Sequence, residues 1–133
     1  MIEYKVKVDS NGDRFWFLNG ERHREDGPAV EYISGTKYWF LNGKIHREDR
    51  PAIEFANGAK YWYKNGKYHR EDGPAIEYTD GGKAWYLNGE KLSEKKFLQM
   101  TRKHVIIIDG QEIQISAESF KELKKSLNDS AEI

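Results

Sequence analysis

The chain has 133 residues, with 22 Lys and Arg against 22 Asp and Glu, a formal net charge of zero and no Cys. That length fits one domain, or one repeat array with a small appendage, and leaves no room for a large cofactor-binding enzyme. The balanced charge provides no overall field toward polyanions or anionic membranes, and the absence of Cys excludes disulfides, thiolate metal sites and a cysteine nucleophile. Charged residues at 33% and a mean hydropathy of −0.89 lean toward disorder, but 14% aromatic residues supply the burial that disordered chains lack. Met1 to Ser10 alternates polar and apolar residues without an apolar signal core, and no later stretch approaches the roughly 18 apolar residues of a membrane span. The expectation is a folded, soluble protein of the cytoplasm, without membrane association.

Along the chain, Asn-Gly recurs at Asn19-Gly20, Asn42-Gly43, Asn65-Gly66 and Asn88-Gly89, each 23 residues after the last. A second turn marker keeps the same step, at Asn11-Gly12, Ser34-Gly35, Asn57-Gly58 and Asp80-Gly81. A fixed step of this kind is the mark of a repeat architecture. The segments before the Asn-Gly turns, 14–18, 37–41, 60–64 and 83–87, are aromatic and suit strands. Ala-Val-Glu-Tyr at 29–32, Ala-Ile-Glu-Phe at 52–55 and Ala-Ile-Glu-Tyr at 75–78 supply second strands. The fold class is therefore mainly β, a tandem β-hairpin array over 1–90 forming an elongated antiparallel sheet.

A two-residue turn at Ser34-Gly35 predicts that Tyr32 pairs with Lys37, Glu31 with Tyr38 and Val30 with Trp39. Val30, Trp39, Leu41, Ile53, Trp62, Ile76, Trp85 and Leu87 then share a core face. Phe15, Phe17, Tyr38, Phe40, Tyr61, Tyr63 and Tyr86 lie opposite, interleaved with Glu31, Glu54 and Glu77. In the first unit a strict two-residue turn would set Lys7 against Trp16, so a bulge or longer turn is expected there.

After Gly89 the pattern ends: His-Arg-Glu-Asp gives way to Lys-Leu-Ser-Glu-Lys-Lys-Phe. Ser93 predicts an N-cap for a helix over about 94–103. Val105 to Ile108, the turn Asp109-Gly110 and Glu112 to Ile115 predict a hairpin. Ser116 predicts the cap of a last helix presenting Phe120, Leu123 and Leu127. This 91–133 module is expected to be a small α+β cap, because solenoids need atypical ends.

The His-Arg-Glu-Asp loops hold the residue types of acid–base and metal chemistry. Equivalent residues of adjacent units, two strands apart, are separated by about 10 Å. His23, His46 and His69 therefore cannot share a metal ion. Arg24, Arg47 and Arg70 are expected to span that gap to Glu25, Glu48 and Glu71 in an inter-repeat ion-pair ladder, and three near-identical copies read as a structural rule rather than a catalytic constellation. No catalytic residue, metal ligand or cofactor is assigned. Gly27 and Gly73 are expected to supply a backbone shape that other residues resist, and Arg50 replaces that glycine in the middle unit. The Trp16, Trp39, Trp62 and Trp85 column reads as core.

A sheet one hairpin thick cannot bury both faces, so the aromatic face is expected to contact a protein partner. The residues assigned to that contact are Tyr38, Phe40, Tyr61, Tyr63 and Tyr86, with Arg47 and Arg50 at the centre of the array. Nucleic acid is disfavoured because Glu31, Glu54 and Glu77 among the rings would repel phosphates.

The unit from Tyr38, Tyr-Trp-Phe-Leu-Asn-Gly-Lys-Ile-His, resembles the MORN repeat family, which combines a 23-residue step with an aromatic strand and an Asn-Gly-Lys-x-His-like turn. The resemblance covers about 14–90. The usual His-Gly-x-Gly stretch is replaced by His-Arg-Glu-Asp-Gly-Pro-Ala at 23–29 and 69–75, and by His-Arg-Glu-Asp-Arg-Pro-Ala at 46–52. That variant resembles a tandem-repeat group common in bacteriophage proteins. The resemblance implies protein association or lipid contact through the sheet, and inhibition of a bacterial defence or regulatory protein in the host cytoplasm. Two alternatives stay open: a self-associating structural or assembly protein, and a small-ligand or nucleotide sponge using the loops.

Overall fold

The computed structural model describes residues 2–131, which divide into a unit ending at Leu92 and a unit beginning at Ser93. The first is all β. After β1 (Lys5–Val8), each repeat runs through an aromatic strand, a short return strand across the Asn-Gly turn, the His-Arg-Glu-Asp loop and a second strand. In the first repeat these are β2 (Arg14–Leu18), β3 (Glu21–Arg22) and β4 (Val30–Glu31). In the second the aromatic strand divides into β5 (Lys37–Tyr38) and β6 (Phe40–Leu41), followed by β7 (Lys44–Ile45) and β8 (Ile53–Glu54). The third repeats this as β9 (Lys60–Tyr61), β10 (Tyr63–Lys64), β11 (Lys67–Tyr68) and β12 (Ile76–Glu77), and β13 (Lys83–Leu87) with β14 (Glu90–Leu92) ends the array. The main antiparallel sheet has the order β1-β2-β4-β5-β8-β9-β12-β13-β14, with β3 on β2, while β6–β7 and β10–β11 form two-stranded hairpins.

The Asn-Gly turns fold as the spacing predicts. Asn42 at φ 51° and Gly43 at φ 78° place both central residues in the left-handed region, the type I′ geometry that matches strand twist. Each aromatic strand then forks at its tryptophan. The Trp39 N–H donates to the Ala52 carbonyl at 2.8 Å, within the main sheet, and its carbonyl accepts from the His46 N–H at 3.0 Å, within the hairpin. Trp62 does the same with Ala75 and His69, at 2.7 and 3.1 Å.

The second turn corrects the expected register. The Tyr32 N–H donates to the Thr36 carbonyl at 3.0 Å and the Gly35 N–H to the Tyr32 carbonyl at 2.9 Å, closing a three-residue loop with Gly35 at φ 101°. Asp9–Asp13, Phe55–Ala59 and Tyr78–Gly82 close in the same way. The longer turn expected only in the first unit is therefore the rule in all of them. Val30 stands opposite Tyr38, and Glu31 opposite Lys37.

A shift of one residue exchanges the faces. One face reads Phe15, Val30, Tyr38, Ile53, Tyr61, Ile76 and Ala84 from strand to strand, and the other reads Arg14, Glu31, Lys37, Glu54, Lys60, Glu77 and Lys83. The first is a ladder alternating aromatic and β-branched residues over most of its length, and the second alternates charge at every step; such cross-strand pairs contribute about 0.2–1 kcal/mol each. Glutamates and tyrosines lie on opposite faces, not interleaved. Val30, Ile53, Ile76 and Trp62 are buried as expected, with Ala29, Ala52 and Ala75 wholly enclosed. Trp39, Leu41, Trp85 and Leu87 are only half-buried, and Phe40, expected outside, is 9% exposed and belongs to the core.

In the second unit Ser93 caps α1 (Glu94–Thr101), its Oγ accepting the Lys96 N–H at 3.1 Å. Strands β15 (Lys103–Ile108) and β16 (Gln111–Ser116) form a hairpin across Asp109-Gly110. Ser116 Oγ accepts the Ser119 N–H at 3.1 Å at the start of α2 (Ala117–Ala131), which packs Phe120 flat on His104 with ring centroids 4.1 Å apart. Among the described residues, no helix is long and apolar enough to cross a membrane.

Candidate functional site

In the His-Arg-Glu-Asp loops, His23 Nδ1 accepts the backbone N–H of Asn42 at 2.9 Å, His46 that of Asn65 at 3.0 Å and His69 that of Asn88 at 2.9 Å. A peptide N–H can only donate, so Nδ1 is bare and the ring proton is on Nε2. That proton is donated to Glu25, Glu48 and Glu71, at 3.4, 2.8 and 3.2 Å. Both ring nitrogens are occupied, and each imidazole ties its loop to the next repeat. Among the described residues, no group of three or more His, Asp or Glu side chains is placed to hold a metal ion.

The arginines have a different task from the one expected. Arg24, Arg47 and Arg70 lie over Trp16, Trp39 and Trp62, each guanidinium carbon 3.8 Å from the ring centroid. Their Nη1 atoms donate to the carbonyls of Pro28, Pro51 and Pro74 and to Glu31, Glu54 and Glu77. Every one of these partners is in the arginine's own repeat. The predicted inter-repeat ladder with Glu25, Glu48 and Glu71 does not form, because those carboxylates are held by the histidines. Among the side chains of these loops, the histidine reaches the next repeat, with one ion pair from Lys64 to Glu48 at 3.4 Å beside it, adding to the backbone pairing of the sheet. The His46 hydrogen bond, with Lys64 helping, holds the Glu48 pKa below its ordinary value.

Gly27 and Gly73 also differ from expectation, since neither has a positive φ; a Cβ at either position would come within 2.9 Å of the guanidinium carbon of Arg24 or Arg70. Glycine is there to leave room for the stacked arginine. With that room, Arg24 Nε donates to Asp26 at 2.9 Å and Arg70 Nε to Asp72 at 2.8 Å, which depresses the Asp72 pKa. In the middle repeat Arg50 carries the excluded Cβ. Asp49 turns to φ 54° and no Arg47–Asp49 pair forms, so the central loop presents exposed Asp49 and Arg50 side chains.

On the other face, a chain of edge-to-face rings crosses the array: Phe15–Tyr32, Tyr32–Tyr38, Tyr38–Phe55, Phe55–Tyr61 and Tyr61–Tyr78, with centroids 6.2, 5.8, 6.4, 4.8 and 6.3 Å apart. Tyr68 joins it at Tyr61 and packs against Tyr63 and Tyr86 at 4.3 and 4.9 Å. Tyr32 and Tyr78 are 37% and 46% exposed, while Tyr38, Tyr61, Tyr63, Tyr68 and Tyr86 are half-buried. Burial foremost, then the Tyr68 hydroxyl, pushes the Tyr63 pKa far up. Burial and the neighbouring phenols raise Tyr38 and Tyr61 as well.

The structure thus gathers Tyr38, Tyr61, Tyr63 and Tyr86 on one face, with Phe40 buried beside them and stacked on Tyr38 at 6.3 Å, and separates the two arginines from them. Arg47 reaches Glu54 on the charged face, and Arg50 is exposed on the central loop. Sequence reasoning missed Tyr32, Phe55 and Tyr78, which close the second strands at the 23-residue step and join the tyrosines once the three-residue loop is recognised. It also missed Arg22, whose guanidinium lies 5.8 and 5.6 Å from the Phe15 and Phe40 ring centroids. With Glu31, Glu54 and Glu77 on the far face, phosphate repulsion by glutamates among the rings no longer argues against nucleic acid. Compared with known families, curated proteins and solved structures, the chain matches no family model, no curated protein and no solved structure.

Proposed function

We propose that the protein is a non-enzymatic binding module that grips a protein partner through the tyrosine face of its MORN-like array. The observation that carries this reading is the ring chain from Phe15 to Tyr78, which includes the exposed phenols of Tyr32 and Tyr78. Tyrosines give large contact area at little entropic cost and dominate interface hot spots. A chain without net charge, whose aromatic face adds only Arg22 as a stacked cation, lacks the basic track that single-stranded nucleic acid requires. The loops support a non-catalytic role, because their histidines are committed to bonds with the next repeat and their arginines to partners within their own. The resemblance to bacteriophage repeat proteins adds the biological direction: occlusion of a bacterial defence or regulatory protein in the host cytoplasm.

The test is affinity capture from bacterial lysate with the native chain, Tyr78→Ala and Lys60→Ala as parallel baits, followed by assay of the captured protein with and without the chain. Capture by the native chain and Lys60→Ala, lost with Tyr78→Ala, together with inhibition of the partner, is the expected result. Capture that depends on Lys60 and ignores Tyr78 would place the contact on the charged face.

A further inference from the structure

Strands β15 and β16 pair only with each other among the described strands. A two-stranded ribbon is marginal in water, and a free edge is a template for another strand. Ile108 and Gln111 close the two-residue turn as a hydrogen-bonded pair, so His104, Ile106 and Ile108 aim their backbone groups at β16. Lys103, Val105 and Ile107 therefore aim theirs at the free edge of β15. The side chains of Val105 and Ile107 share the face opposite His104 and are 54% and 69% exposed. The free edge of β16 carries the polar residues Glu112, Gln114 and Ser116 in the corresponding places, so only the β15 edge is apolar.

We propose that two copies of the protein associate by antiparallel pairing of β15 with β15, about a two-fold axis at Ile106. In this register Val105 of each copy stands opposite Ile107 of the other, where their outward N–H and C=O groups form hydrogen-bonded pairs and their exposed side chains pack together. Lys103 of each copy stands opposite Asp109 of the other, so opposite charges meet at both ends. The interface is isologous, as a closed dimer requires. Moving the axis to Val105 sets Lys103 against Ile107, and moving it to Ile107 sets Val105 against Asp109. An axis between two residues matches outward backbone groups with inward ones. The self-pairing is independent of the function proposed for the array.

Light scattering on the full chain from micromolar to millimolar concentration tests this, with a mass expected to rise from 15.6 kDa toward twice that value. Ile107→Lys, at an exposed position, is expected to keep its circular dichroism and remain monomeric throughout. The chain has no cysteine of its own, so single cysteines report the register. Ile106→Cys, on the axis, is expected to form a covalent dimer on oxidation, whereas Val105→Cys, displaced from its own counterpart, forms far less. A native chain that stays monomeric, a dimer that survives Ile107→Lys, or cross-linking stronger at 105 than at 106 overturns the proposal. Should Ile106→Cys fail to fold, the Ile107→Lys comparison decides by itself.

Discussion

His46 Nδ1 accepts the backbone N–H of Asn65 at 3.0 Å across 19 residues of chain, and the same bond recurs from His23 to Asn42 and from His69 to Asn88. The imidazole thereby substitutes for a backbone carbonyl at the entrance of the next Asn-Gly turn. His69 is 8% exposed, so removing it strips a partly enclosed N–H of its acceptor and leaves a gap. His69→Ala is expected to destabilise by about 1–3 kcal/mol in urea titration, the usual cost of an orphaned buried donor. A change below roughly 0.5 kcal/mol, the range of an ordinary surface substitution, would show that the staple is dispensable.

The residue before each proline, Gly27, Arg50 or Gly73, separates the repeats in a measurable way. Gly27→Ala pushes a Cβ to within 2.9 Å of the Arg24 guanidinium, which is held by Trp16, Pro28 and Glu31. The expected loss is about 1–3 kcal/mol, as for other overpacked sites. Arg50→Ala meets a loop that has already opened, and its effect should stay within about 0.5 kcal/mol. Equal losses at the two positions would sink the steric account.

At the opposite end of the polarity scale, Trp62 is 9% exposed beneath the Arg70 guanidinium. Trp62→Ala should cost about 3–5 kcal/mol by the same titration, the usual price for truncating a buried large aromatic. A loss under about 1 kcal/mol would mean that this ring does not hold the strand fork together.

Stability should also respond to acid through Asp72. The Arg70 guanidinium lowers its folded pKa below the unfolded value, so this contribution is present above the ordinary aspartate range near pH ~4 and is lost as pH falls through the folded pKa. Asp72→Asn should therefore flatten the fall in denaturant midpoint on the acid side while leaving the alkaline side unchanged. An unaltered acid limb would show that the exposed pair contributes nothing.

Tyr63 acts in the reverse sense. Its folded pKa is raised, so its contribution is fully present below the unfolded tyrosine value of about 10 and is lost as pH rises toward the folded one. Tyr63→Phe is expected to weaken the alkaline loss of stability seen in the native chain. Identical alkaline limbs would rule out the burial of this phenol as their source.

Much of this fold is legible in the sequence because its punctuation is chemical. Asn42-Gly43 and its equivalents specify a type I′ turn, and Ser93 and Ser116 mark helix starts, since each residue satisfies a local backbone need. The register is hidden because Ser34-Gly35 resembles a two-residue turn, whereas Tyr32 and Thr36 close a three-residue one, and a single residue exchanges the faces. The candidate site is legible to the same extent: Tyr38, Tyr61 and the Phe40 ring stacked on Tyr38 follow from the aromatic strand, whereas Arg47 turns to Glu54 on the charged face, and Tyr32 and Tyr78 join the rings only through the three-residue loop. The Arg24–Trp16 stack, with a proline carbonyl and a glutamate seven residues on as its other partners, follows from three-dimensional packing that no spacing rule encodes.

Every histidine staple points forward along the chain, which gives the array a direction. The Asn19 turn has no preceding His-Arg-Glu-Asp loop, and the loop position after Gly89, residues 92–95, reads Leu-Ser-Glu-Lys, so the series starts and stops by composition rather than by collision with another element. An extra 23-residue module cloned between Gly43 and Lys44 would carry its own acceptor histidine and its own donor turn. The array behaves as a ruler whose graduation is one cassette, each lengthening the sheet by about 10 Å, and nearest-neighbour coupling would make its melting temperature climb with cassette number.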